Sequence, residues 1–241
     1  MNKTYEAFFT ETLINKLGSI SDEMAENLIK SSYSTNIKER RDCSTAIMDK
    51  NGLIIYQAEH IPIHLGSFFS IIKSIYEIYD KQELGKNDFF ICNDVYLGGG
   101  SHLPDIVIVV PIYHKNKLIN WIGNIAHHAD FVDRGHEHIF QEGIMIPPTR
   151  IIKNNIIQKD IIRLIINNCQ LPQEREIDIL SQISANKIGQ KRFQELFKEN
   201  SYNKLIKGYS KILNISTNNI LKKINKLKEG SYYFAEEFDS T

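Results

Sequence analysis

Two apolar stretches joined by a short polar turn set the strongest constraint on the fold of this chain. Ile106 to Val110 is wholly β-branched, and Leu118 to about Ala126 follows it across His114-Lys115-Asn116-Lys117. β-Branched side chains suit the pleated surface of a sheet, and a tight turn can join only antiparallel neighbours. The centre of the protein is therefore expected to be a hairpin, with Pro111 marking the weak end of its first strand. Three further segments extend the sheet. Cys43 to Met48 and Leu53 to Gln57 form a hairpin around Asp49-Lys50-Asn51-Gly52, Asp88 to Cys92 is a short strand, and Arg150 to Gln158 is a small hairpin turning at Asn154-Asn155.

Helical spacing flanks these strands. Residues 5–17 and 21–37 read as two helices, the second starting at Ser21 with Asp22 and Glu23 in its first turn. After Gly66, the positions Phe68, Phe69, Ile71, Ile72, Ile75 and Ile78 fit a buried helix face. From Asp160 onward the character is helical, with Leu171-Pro172 separating two helices. The second carries Ile177, Leu180, Ile183, Ile188, Phe193 and Phe197 as its apolar face. A last helix, from about Asn203 to Lys228, has seven lysines and no acid, and Ser231 to Phe234 suggests a closing strand. The fold class is α+β: N-terminal helices, a mixed or antiparallel sheet core with hairpins, and a helical C-terminal region. A boundary near residue 158 divides a mixed α/β domain over 1–158, which holds the chemistry, from a helical region over 159–241.

Composition narrows the function. The 241 residues carry a formal net charge of zero, with 42% hydrophobic and 24% charged residues, an ordinary globular balance. Neutrality argues against nucleic acid or an anionic membrane surface as partner. No apolar run is long enough to span a bilayer, and the start does not resemble a signal peptide. Cys43, Cys92 and Cys169 are odd in number and widely spaced, so a disulfide framework or thiolate zinc site is not expected and a cytoplasmic location is. Neither a Gly-x-x-x-x-Gly-Lys-Ser/Thr loop nor a Gly-x-Ser-x-Gly elbow is present.

The chemistry gathers in one window. All eight histidines lie between His60 and His138. Within it, the run Asn93-Asp94-Val95-Tyr96-Leu97-Gly98-Gly99-Gly100-Ser101-His102-Leu103-Pro104-Asp105 places a glycine turn before a His-x-x-Asp pair, at the start of the strongest strand. Ala126-His127-His128-Ala129-Asp130 ends the next strand, so the hairpin brings it beside His102 and Asp105. Neighbours on a strand face opposite ways, and only one of His127 and His128 can share that point. Two imidazoles and a carboxylate suit a divalent cation such as Mn²⁺, Fe²⁺ or Zn²⁺; the alternative is acid–base chemistry by histidine without metal. A third segment, Ala58 to Ser67, carries His60 and His64. His127, His64 and His60 are the candidates for proton transfer. Asp94, Gly99, Gly100, Asp130 and Glu142 are the candidates for substrate contact, with Asp94 and Asp130 also able to orient an imidazole.

Several of these segments together resemble the hydantoinase B/oxoprolinase family: Ile37 to Asp42, Ala58 to Gly66, Asn93 to Asp105, Ala126 to Asp130, Gln141-Glu142-Gly143-Ile144 with Pro147-Pro148, and Ala185 to Gly189. The resemblance runs in order along nearly the whole chain. It implies a subunit of an ATP-dependent hydrolase of cyclic amides such as hydantoins and 5-oxoproline. The other activities it allows are an acetone or acetophenone carboxylase subunit and an idle assembly subunit. It further implies an actin-like ATPase partner of the hydantoinase A type, which binds ATP and phosphorylates the substrate oxygen. By similarity, His102, Asp105 and one of the 127/128 pair, with His128 favoured, hold the metal. There are departures from the family's pattern. Val95 stands where the family has proline, the glycine run is longer, and Phe131 and Val132 follow Asp130 in place of a Gly-Gly turn. The family's members are about twice as long, which suggests a separate C-terminal half as a further partner.

Overall fold

The computed structural model describes residues 3–58, 61–132 and 137–236. A long helix α1 (Lys3–Ser31) and a single turn α2 (Thr35–Lys38) lead into the hairpin β1 (Cys43–Asp49) and β2 (Ile54–Gln57). Helix α3 (Leu65–Ile78) precedes β3 (Phe89–Cys92), the long pair β4 (Asp105–His114) and β5 (Lys117–His127), and the small pair β6 (Thr149–Lys153) and β7 (Ile156–Ile157). Helices α4 (Lys159–Ile166), α5 (Pro172–Glu199) and α6 (Tyr202–Ile224) complete the chain. The seven strands form one sheet in the order β2-β1-β5-β4-β3-β6-β7, antiparallel at every pairing. The architecture is α+β, as the strand and helix patterning requires.

Alternation along the strands sorts side chains onto two covered faces. On one, Phe68, Ile71, Ile72 and Ile75 of α3 pack against Ala46, Met48, Phe90, Val107, Val109, Trp121 and Ile125. On the other, α1, α5 and α6 bury Leu13, Leu17, Met24, Ile179, Ile183, Phe193 and Leu205 over Ile47, Ile106, Ile108, Val110 and Ile122. The sheet is thus the middle of three layers. β4 is covered on both faces, which is why it is an unbroken apolar run from Ile106 to Ile112. Strand β4 continues through Pro111 to His114, because registered pairing with β3 ends at Val109 and the proline sits where only β5 is a neighbour.

The turns follow from local chemistry. Lys115 and Asn116, and likewise Asn154 and Asn155, adopt positive φ, the conformation of the two-residue turns that match strand twist. The β4–β5 register is not that of a plain two-residue hairpin. Tyr113 pairs with Leu118 but Ile112 with Asn120, so Ile119 is an extra residue in β5, a bulge.

Four expectations are corrected. The first two helices are one, because Gly18 lies against Tyr56 and Ser21 turns inward to Thr45 (Oγ to Oγ1 2.8 Å) instead of capping a new start. In α3, Phe69 and Ile78 are exposed. In α5, Ile177 and Leu180 are largely exposed, while Arg175, Asp178, Gln182 and Asn186 are buried: the helix presents a polar row to the sheet. No strand forms at 231–234, where Tyr232, Tyr233 and Phe234 are exposed and without a pairing strand among the described residues.

The loop between β3 and β4 is seated on α3. Gly98 has φ +118°, and a Cβ there would strike the backbone of Ile71. Gly98→Ala is expected to cost about 3 kcal/mol, from backbone strain plus a clash that no side-chain rotation relieves. Urea denaturation should show a lowered midpoint at unchanged slope.

Candidate metal centre

The centre of the site is Asp105, the first residue of β4, whose side chain is 3% exposed. Its directly opposite residue on β5 is His127, and cross-strand partners project to the same face. The Asp105 carboxylate (Oδ1) lies 3.2 Å from His127 Nδ1 and 3.3 Å from His102 Nε2. The two imidazoles stack in parallel, centroids 4.6 Å apart and planes 6° apart. One ligand atom from each of His102, Asp105 and His127 lies within 4.8 Å of the others.

Glycine makes this approach possible. The loop folds so closely over Asp105 that a Cβ at Gly100 would overlap the aspartate side chain, and one at Gly99 would overlap the backbone of Asn93. Asn93, fully buried, ties the surrounding segments together. Its Nδ2 donates to the carbonyls of Leu103 and Ile144, and its Oδ1 accepts from Ile146 N–H. Glu142 accepts from Leu103 N–H, and Asp94 accepts from Tyr96 N–H. Both carboxylates therefore hold the loop in shape. Asp130 is exposed at the end of β5, where its charge helps to raise the His102 pKa.

His64, buried just before α3, stands behind the trio. Its Nδ1 is 3.1 Å from Ser44 Oγ, and its Nε2 is 3.8 Å from Asp105 Oδ1 and 3.7 Å from Asp42 Oδ1. His60 lies outside the described residues.

His128 does not join this group, and the expectation that it would is corrected. It faces the opposite side of the sheet, fully buried, with Nε2 3.0 Å from Gln182 Oε1 of α5. The reason is the bulge at Ile119, which sets Asp105 opposite His127 instead of Ala126. Sequence reasoning also missed Ser44, Asp42, Asn93 and Gln182. The signal for Gln182 was available: Arg175, Asp178, Gln182 and Asn186 recur at the spacing of one helical face.

The electrostatics suit a cation. Burial alone would raise the Asp105 pKa, but hydrogen bonds from His102 and His127 outweigh it and hold the carboxyl well below its usual range. The hydrogen bond to Asp105 raises the His102 pKa against its own burial. His64 is shifted down, chiefly by burial, despite Asp105 and Asp42 nearby. One carboxylate and two imidazole nitrogens on one side of a rigid strand end match the donor preference of Mn²⁺, Fe²⁺ or Zn²⁺.

Comparison with known proteins places these features in a wider set. The family model described as "Hydantoinase B/oxoprolinase" matches residues 7–241. An uncharacterized protein of Methanocaldococcus jannaschii is 32% identical over 226 residues, covering 90% of this chain and 40% of that protein. The 5-oxoprolinase of Dictyostelium discoideum is 32% identical over 188 residues, 74% of this chain and 14% of that protein. The solved structure of the ATP-dependent caprolactamase from Pseudomonas jessenii superposes with a TM-score of 0.84 at 23% identity, over 95% of this chain and 40% of that one. That likeness establishes a shared fold. The chain spans less than half the length of each of these proteins.

The buried His128 should couple stability to pH. Burial, and then the Arg175 charge, push the His128 pKa from 6.5 down to about 4, with Asp178 and Gln182 opposing. The unfolded state then binds the proton first. His128 leaves stability intact above pH 6.5 and removes about 3 kcal/mol as the pH falls to about 4. His64 acts in the same sense. His102 acts in the opposite one, stabilising at low pH and losing that contribution as the pH rises through its elevated value. In metal-free protein, His128→Gln is expected to flatten the fall in urea midpoint between pH 6.5 and 4.5. An unchanged slope would refute the assignment.

Proposed function

The chain belongs to the hydantoinase B/oxoprolinase family, and from that premise we propose that it supplies the metal-dependent hydrolytic site of an ATP-dependent cyclic-amide hydrolase of the hydantoin or 5-oxoproline type. The observation that carries this reading is the joint placement of His102, Asp105 and His127 at one sheet end, with His64 behind them.

A lactam carbonyl is a poor electrophile, and transfer of a phosphoryl group from ATP to its oxygen activates the carbon. That transfer belongs to a partner subunit of the actin-like ATPase kind, which binds the ATP; water then adds to the activated carbon, the ring C–N bond breaks with the nitrogen leaving as the amine, and a second water releases phosphate from the acyl phosphate. His102 Nε2, Asp105 and His127 Nδ1 would hold a divalent cation, Mn²⁺, Zn²⁺ or Fe²⁺. When bound, such an ion lowers the pKa of water toward neutrality and polarises an oxygen ligand.

The chain's own residues supply the rest. His64 is neutral near pH 7 because burial lowers its pKa, so it can accept a proton. Ser44 Oγ at its Nδ1 fixes the ring orientation. The loop at Gly99 and Gly100 brings backbone within reach of a ligand at Asp105. Asn93 and Glu142 keep that loop in place. On this reading Asp94 and Asp130 would contact the substrate. The names of the relatives with 5-oxoprolinase activity favour hydrolysis over carboxylation.

The test is ATP-dependent ring opening of 5-oxoproline and hydantoins by the chain purified together with its ATPase partner. Asp105→Asn and His102→Ala are expected to lose bound metal, with kcat falling about 100-fold or more. His64→Ala should retain metal and lose kcat alone. Metal-independent turnover by the parent, or full activity of Asp105→Asn, would overturn the reading.

A further inference from the structure

Helix α5 crosses the sheet on the face opposite the site, and its buried polar row touches the two strands that carry the ligands. Gln182 is fully buried. Its Nε2 donates to the carbonyl of Ile106 at 2.8 Å and to Asn124 Oδ1 at 2.9 Å. Its Oε1 is 3.0 Å from His128 Nε2. The orientation of the amide is forced, because the reverse would set its oxygen against two acceptors and its nitrogen against the imidazole. His128 therefore carries its proton on Nε2 and donates to Gln182.

Ile106 is the residue after Asp105, and His128 is the residue after His127. One amide group thus clamps, from behind the sheet, the positions next to two of the three site residues. Its neighbours extend the clamp. Asn186 donates to the Ile108 carbonyl and accepts from Asn124 Nδ2, and Arg175 donates to the Ala129 carbonyl just past His128. Each of these bonds fixes β4 or β5 against the same rigid helix.

We propose that Gln182 is a positioning residue for the site, holding the bulged β4–β5 register in which His127, not His128, shares a face with Asp105. The need for such a device follows from the sheet's own periodicity. A slip of one residue exchanges the two faces, and here it would replace one histidine by the other at the site while turning Trp121 away from α3 and Asn124 away from α5. For the two histidines themselves a directional partner is needed as well. A buried glutamine that can bond to His128 only when that ring points toward α5 supplies it, since a slipped register would leave three polar contacts unmade in a dry interior.

The inference rests on the metal reading only for one of its two measurements. The first is affinity of the full chain for Mn²⁺ by calorimetry. Gln182→Met keeps the volume and removes the three side-chain hydrogen bonds; Gln182→Glu is the second variant, should the first fail to fold. Both are expected to weaken Mn²⁺ binding about 10- to 100-fold, the usual effect of losing a group that orients ligands. Tyr209→Phe removes another buried bond to β5, at Asn120 far from the site (3.1 Å), and should lower the melting temperature without changing Mn²⁺ affinity. The second measurement is the ring-nitrogen chemical shifts of His127 and His128 in metal-free protein. They report the His127–Asp105 and His128–Gln182 bonds directly and should move in both Gln182 variants but not in Tyr209→Phe. Folded variants with parental affinity and unmoved His127 shifts would overturn the proposal. A parent chain that binds no Mn²⁺ would count against the metal reading instead, and the nitrogen shifts alone would then decide the role of Gln182.

Discussion

The pairing of β4 with β5 is the constraint on which the site depends. Ten residues of β4 run alongside β5, and the register puts Asp105 opposite His127. That single match places a carboxylate and an imidazole on one face without any contribution from flexible loops. The third group, His102, arrives from the glycine-rich loop, but its distance from Asp105 is limited by only two intervening residues, Leu103 and Pro104. Geometry at a strand end is more precise than geometry on loops, and a site of three donor atoms tolerates little error.

Burying this chemistry is costly, and the structure offsets the cost with charge and hydrogen bonds. A carboxylate as buried as Asp105 would be disfavoured alone. It is surrounded instead by the rings of His102, His127 and His64, which stabilise its charged form. Two imidazoles stacked face to face gain little from each other electrostatically, and both turn a nitrogen to the same oxygen. The arrangement leaves a charged carboxylate and two imidazole nitrogens on one side of the strand end. The opposite face is handled differently. Asn120, Asn124 and His128 point from β5 into the α1–α5–α6 layer, and each has a polar partner on α5 or α6. The same strand therefore turns His127 to Asp105 on one face and a row of hydrogen-bonded polar groups to the helices on the other, alternating residue by residue.

Most of the strand layout was legible because β-branched runs and turn residues are local signals. The hairpin at Lys115-Asn116, the turn at Asn154-Asn155 and the strand through Ile106 to Val110 follow from them. The window of histidines was legible for the same reason. The choice between His127 and His128 was not. A two-residue turn between His114 and Lys117, continued without irregularity, pairs Asp105 with Ala126 and sends His128 to its face. Only the extra residue at Ile119 reverses this. No residue type marks a bulge of that kind in a strand of otherwise ordinary composition. The phase of α5 was misread for a related reason. Its apolar residues at Ile177 and Leu180 are exposed, while Arg175 and Gln182 are buried against a sheet that offers them carbonyl partners. Hydrophobicity predicts burial when the opposing surface is apolar, and here it is partly polar.

These two difficulties have one origin. The bulge leaves β5 out of plain register at one end, and the polar row of α5 meets the strands at the other, where their pairing must be exact to within a single residue for the site to form. Apolar packing contributes to that, since Trp121 and Ile125 face α3 while Ile122 faces α5, and hydrogen bonds to particular carbonyls add a directional requirement that aliphatic contacts lack. The buried polar groups of α5 thus sacrifice some of the stability an apolar interface would give and obtain register in return. The helix that contributes no side chain to the His102–Asp105–His127 group thereby bears on which histidine stands opposite Asp105.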